Sequence, residues 1–94
     1  MIIRRVVGHS MEPILLPGCI VVGIKSTKYC IGDIVVANIS DREVIKRITG
    51  IKANKYYLKG DNKLQSTDSD EWGWIDSNKL KSKIVLKIGR KIYP

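Results

Sequence analysis

Ninety-four residues, 44% of them hydrophobic, read as one ordered domain spanning 1–94 rather than a disordered tail. A chain this short buries only about 60–65% of its unfolded surface, which argues against a large self-contained cleft and for a surface groove under any substrate. With 17 basic and 9 acidic residues the net charge is +8, which favours a polyanionic partner or an anionic membrane surface and says nothing about fold. In chain order, runs rich in Val and Ile predict strands at 2–7, 19–24, 34–39, 43–49, 56–58 and 84–88. Gly32-Asp33, Ser40-Asp41 and Gly60-Asp61-Asn62 supply the turn residues between them. A turn or two of helix is expected at 77–83, after Asp76 as N-cap. The fold class is therefore mainly β: a small, twisted, antiparallel sheet or barrel with little helix.

The longest uncharged stretch, 13–24, is 12 residues and contains Pro13 and Pro17, whereas a membrane-spanning helix needs about 20. The start, Met-Ile-Ile-Arg-Arg-Val-Val, lacks the apolar core of a signal peptide, so the chain reads as cytoplasmic or peripheral at a membrane surface. Cys19 and Cys30 allow one bridge and are read as buried thiols, with the redox compartment left open. With a single histidine, a Cys and His metal site is not expected, nor is any cofactor. Charge is uneven: from 79 to 94 stand six basic residues and no acid, while 61–76 holds five acids and only Lys63.

Three segments carry candidate chemistry. Gly8-His9-Ser10-Met11-Glu12-Pro13 follows the first predicted strand, and a glycine two before the serine permits a tight turn and close approach of a substrate chain. Ser10 needs a base, and adjacent side chains on an extended segment point to opposite faces, which places His9 poorly for that task. In Glu43-Val44-Ile45-Lys46-Arg47-Ile48-Thr49, alternation puts Lys46 on one face with Val44 and Ile48. That face, if buried, desolvates the ammonium and lowers the lysine pKa, at about 1.4 kcal/mol per unit; from a strand edge Lys46 instead snorkels to water. The third segment runs from Gly60-Asp61-Asn62 through Ser66, Asp68 and Ser69, a hairpin turn and polar loop whose hydroxyls and carboxylates suit the orientation of a neutral lysine. Trp72-Gly73-Trp74 adds an aromatic pair of the kind found at membrane interfaces and also used as core in small β-proteins.

The order and spacing of these segments resemble the signal peptidase I family of serine peptidases. Its boxes are matched by Ser10-Met11-Glu12-Pro13, by Gly32-Asp33-Ile34-Val35, by Lys46-Arg47-Ile48-Thr49-Gly50, and by Gly60-Asp61-Asn62 with Ser66, Asp68 and Ser69. The resemblance implies a Ser/Lys dyad with Ser10 as nucleophile and Lys46 as general base. It also implies the Ser10 backbone N–H as oxyanion donor, with Gly8, Ser10 and Met11 beside the substrate strand, and Ser66, Asp61 and Asp68 in support of the dyad. The implied substrate is a leader or signal peptide of a precursor protein, cut after small residues. A short branch of the family, which includes the maturation peptidase of nickel-type superoxide dismutase, removes a leader from a single partner and is similar in being anchorless.

Departures from the family pattern are as informative. Gly8 stands where bacterial members usually have a serine that supplies a second oxyanion donor, a loss worth up to about 10² to 10³ in rate. Asp70 stands where many members carry an arginine that pairs with the acid at the Asp68 position, and Cys19 replaces an aspartate. Competing readings are a LexA-like self-cleaving domain, an inactive peptidase fold used for binding, and a basic β-barrel binding nucleic acid. The last rests on charge alone, since aromatics are 6% of the chain, and no nucleic acid is expected as partner. The basic tail with Trp72 and Trp74 allows peripheral contact with an anionic membrane.

Overall fold

A computed structural model describes residues 1–64 and 68–89. Seven strands, β1 (Ile2–Arg5), β2 (Ile20–Ile24), β3 (Ile34–Ile39), β4 (Arg42–Lys52), β5 (Lys55–Lys59), β6 (Ile75–Asp76) and β7 (Leu80–Ile88), form one sheet. The order is β1-β2-β7-β3-β4-β5-β6, and every neighbouring pair is antiparallel. The mainly β, nearly helix-free expectation holds. No helix among the described residues is long and apolar enough to cross a membrane.

The β3–β4 turn is built on Ser40 and Asp41, both with positive φ (50° and 63°), the backbone that a two-residue hairpin matched to strand twist requires. Register then pairs Val35 with Lys46 and Ala37 with Val44. The long strand β7 pairs with β3 through its first half and with β2 through its second, and the register shifts where each pairing bends. A Cβ at Gly23 would collide with Ser82 Oγ at that crossing, so the close approach of β2 and β7 depends on glycine. The helix expected at 77–83 is overturned beyond a single 3-10 turn, Ser77–Lys79. From Leu80 onward the chain gains ladder hydrogen bonds to β3, and tertiary pairing outweighs a weak local preference.

Two apolar clusters result. Val35, Ala37, Ile39, Ile48, Leu58 and Ile75 make one, with Val44 packed against it. Val6, Met11, Leu15, Cys19 and Val21 make the other, with Ile34, Ile45 and Ile84 packed against it. Strand β4 thus sends Val44 and Ile48 to the first cluster and Ile45 to the second, as its alternation requires. Both cysteines are free thiols; Cys19 is buried as expected, whereas Cys30 is exposed. Cys30 falls in the loop before β3, where its N–H donates to Asp33 Oδ2 at 2.8 Å, and the turn rather than a core sets its position.

Candidate active site

Strand β1 leaves the sheet after Arg5, and the chain stays tied to the approach of β2 by Val6 N–H to Cys19 O and Gly18 N–H to Val6 O, both 2.8 Å. Gly8 then turns the backbone with φ +80°. A serine at position 8, the family residue, would be strained in that conformation whatever the space around it. Met11 and Leu15, each 1% exposed, plug the second cluster and are linked by Leu15 N–H to Met11 O at 2.9 Å. With those side chains turned inward, Ser10 remains partly exposed between them and Gly8. Its backbone N–H has no acceptor among the described residues.

Asn62 clamps this turn from a distant part of the chain. Its backbone N–H donates to Ser10 O at 2.8 Å, and its Nδ2 donates to His9 O at 3.0 Å. The sequence places Asn62 in a hairpin turn and assigns it no role; only the docking of the 60–64 loop on the serine turn reveals one. His9 turns its Nδ1 to Glu12 Oε2 at 2.9 Å, which engages the ring outside any base role toward Ser10. The reason differs from the extended-strand argument, since residues 9–10 lie in a turn.

Lys46 lies on the face of β4 that alternation gives it and is 5% exposed. Burial pushes its pKa below the ordinary lysine value, and the nearby Asp68 carboxylate opposes that shift. Its Nζ lies 5.9 Å from the centre of the Trp72 ring, at the outer limit of a cation–π contact. Trp72 and Trp74 pack against different neighbours. The glycine between them, with φ +77°, splits their directions: Trp72 packs against the first cluster beside Lys46, and Trp74 stacks edge-on against Tyr57 at 5.1 Å. Trp72 is thus a second site residue that sequence reasoning missed, and a helix of one turn, α1 (Ser69–Trp72), positions it.

Asp61 holds the guanidinium of Arg47 with both oxygens, at 2.8 and 2.9 Å, while Arg47 Nη1 donates to Gly32 O at 2.7 Å. The residue after Lys46 is thereby tied to the loop that carries Asn62. Asp68 is buried and caps α1 by accepting from Asp70 N–H at 2.9 Å. Asp70 does not leave an uncompensated like charge there, because its carboxylate accepts from Tyr57 OH at 2.6 Å and pairs with Lys59 at 3.2 Å. Ser66 lies outside the described residues. In the basic tail, Lys81 pairs with Glu43 of β4, Lys83 with Asp33 just before β3, and Lys87 donates to Ile14 O in the loop after β1, so three of its cations serve contacts within the domain.

Ser10 and Lys46 line one groove of about 590 Å³, together with Arg4, Arg5, Val6 and Val7 on one side and residues 42–46 on the other. Consecutive residues line each wall, which means strand edges rather than faces border the groove. On one side, β1 is the end strand of the sheet. On the other, β4 pairs with β5 only from Arg47 onward, which leaves the edge of 42–46 unpaired by β5. A family model described as Peptidase S24-like matches residues 1–72. The chain belongs to the Peptidase S24-like family. That family is one of serine-type peptidases and lies in a superfamily with LexA-like domains and signal peptidases, and the β architecture of this member agrees with it. No curated protein matches the chain.

Proposed function

We propose that this Peptidase S24-like chain is an endopeptidase that removes a leader from a precursor protein by a Ser10/Lys46 dyad, cutting after small residues. The observation that carries the reading is the burial of Lys46 on the wall of the groove that also exposes Ser10. Desolvation lowers a lysine pKa and raises the share of neutral amine able to act as a base, with no histidine required. Neutral Lys46 takes the proton of Ser10 Oγ as the oxygen attacks a substrate carbonyl carbon, and the Ser10 N–H donates to the resulting oxyanion. The C–N bond then breaks, the Lys46 ammonium returns the proton to the leaving amine, and an ester to Ser10 remains. Lys46 next takes a proton from water, whose oxygen attacks the ester, and protonation of Oγ releases the acid and restores the dyad. Two facing strand edges suit an extended substrate that adds backbone hydrogen bonds, and Val7, Val44 and Ile45 offer apolar contact for small side chains. Digestion of a peptide library with varied small-residue leaders tests this. Cuts after small residues, lost in both Ser10→Ala and Lys46→Ala, are expected; cutting that survives either substitution would refute the dyad.

A second reading, self-cleavage, is favoured by the S24-like match, since LexA-like domains share the superfamily. Intact mass after prolonged alkaline incubation separates the two, because self-cleavage yields a defined pair of fragments and leader processing leaves the chain whole.

A further inference from the structure

We propose that the groove selects polypeptides carrying an acidic side chain three to five residues from the scissile bond, held by Arg42 with help from Arg5. The proposal rests on the peptidase reading for the position of the bond, and deepens it by naming the substrate chemistry. Three arginines, Arg4, Arg5 and Arg42, line the groove together with a single glutamate, Glu43. Glu43 is already matched twice, by Arg4 and by Lys81, and these partners hold its carboxyl down at about 2. Among the described residues Arg5 and Arg42 have no carboxylate partner, and the only side-chain hydrogen bond of Arg5 is a long one, 3.5 Å, to Gly18 O. Both are exposed in the groove wall.

Strand geometry supplies the position. Arg42 and Lys46 lie on the same face of β4, four residues apart, hence about 13 Å along the strand. A substrate strand laid on that unpaired edge advances by the same rise, so its fourth residue from the reacting carbonyl comes level with Arg42, and arginine reach spreads this by about one position. A guanidinium fork recognises a carboxylate with two parallel hydrogen bonds. A peptide fits better than a nucleic acid because strand edges border the groove and Trp72 is the one aromatic residue in its lining among the described residues, too few for base stacking.

Binding to the Ser10→Ala protein tests the proposal without cleavage. Labelled peptides carrying one Glu, moved through six positions on either side of an Ala-x-Ala site, are compared with matched Gln and Lys peptides by fluorescence anisotropy. One window three to five residues from the site should show about tenfold tighter binding for Glu. The advantage should vanish in Arg5→Gln/Arg42→Gln and turn to a preference for Lys in Arg5→Glu/Arg42→Glu. Equal binding of Glu and Gln peptides at every position, or a preference unchanged in both double variants, overturns the proposal. So does an oligonucleotide or an anionic phosphatidylserine vesicle that binds tighter than every Glu peptide and is lost in the same variants. Cleavage by the unsubstituted protein that ignores the acid leaves the peptidase reading standing and this one refuted. Charge-selective binding without any cleavage refutes the peptidase reading, and with it the placement of the acid relative to a scissile bond.

Discussion

Replacing Asn62 by alanine probes whether the serine turn is held in place from the 60–64 loop. The substitution removes two side-chain hydrogen bonds, Nδ2 to His9 O at 3.0 Å and the one Oδ1 accepts from Leu64 N–H at 3.2 Å. It leaves the backbone bond from residue 62 to Ser10 O in place. A typical net value is about 0.5–1.5 kcal/mol per bond, and partial exposure puts these two toward the low end, for a loss of about 1–2 kcal/mol. In a domain of this size that lowers Tm by about 4–16 °C and is readily read in urea unfolding. The catalytic consequence differs from the stability consequence. A clamp on the residues flanking Ser10 acts on the geometry of attack, so kcat on a cleavable peptide should fall by about tenfold or more while KM changes little. Asn62→Asp keeps the acceptor for Leu64 but sets a carboxylate against the His9 carbonyl, so its kcat should fall as far as that of the alanine variant with less loss of stability. Stability reduced with kcat intact would refute the clamp, and so would full rescue by aspartate.

Three further outcomes follow from the same geometry. Lys46 has a folded pKa below its unfolded value, so the unfolded chain binds more protons between the two and stability rises with pH across that window. Urea unfolding of wild type and Lys46→Met from pH 6 to 11 should therefore show the difference moving in favour of wild type by about 1.4 kcal/mol per unit of depression, levelling above the unfolded lysine value; a flat difference refutes burial of the charge. Asp68→Asn removes the carboxylate that raises Lys46 while preserving a good N-cap, so the acid limb of kcat/KM should move to lower pH; a shift upward, or none, would contradict that electrostatic role. Gly8→Ser adds the hydroxyl that bacterial signal peptidases usually have there, in a backbone with φ +80°, and should cost about 1 kcal/mol in unfolding without raising kcat, whereas a gain in rate would show the turn able to relax.

Much of the fold was legible because β-strands announce themselves through branched apolar runs and turn residues. The β3–β4 hairpin, the Ser40-Asp41 turn and the face shared by Val44, Lys46 and Ile48 follow from period two alone, a property of neighbouring residues on one strand. Ser10 and Lys46 became candidates through residue type, spacing and the family resemblance, which also implied a supporting role for Asp61, though not its partner Arg47. What local pattern could not decide is everything set by contacts across long stretches of chain. Leu80–Lys83 joins β3 instead of continuing a helix because the partner edge lies more than forty residues away in sequence. Trp72 faces Lys46 and Trp74 faces Tyr57 because Gly73 turns the chain between them and the packed sheet receives each on a different side. Asn62 holds the Ser10 turn only once two loops fifty residues apart have docked. By itself the sequence determined strands β1 to β5 and the second half of β7, the lysine's face and the chemistry available to it. Tertiary structure alone decided that Lys46 is desolvated, that Ser10 opens onto the same groove, and that two arginines line it without a carboxylate, because burial and charge compensation depend on neighbours that pairing brings together.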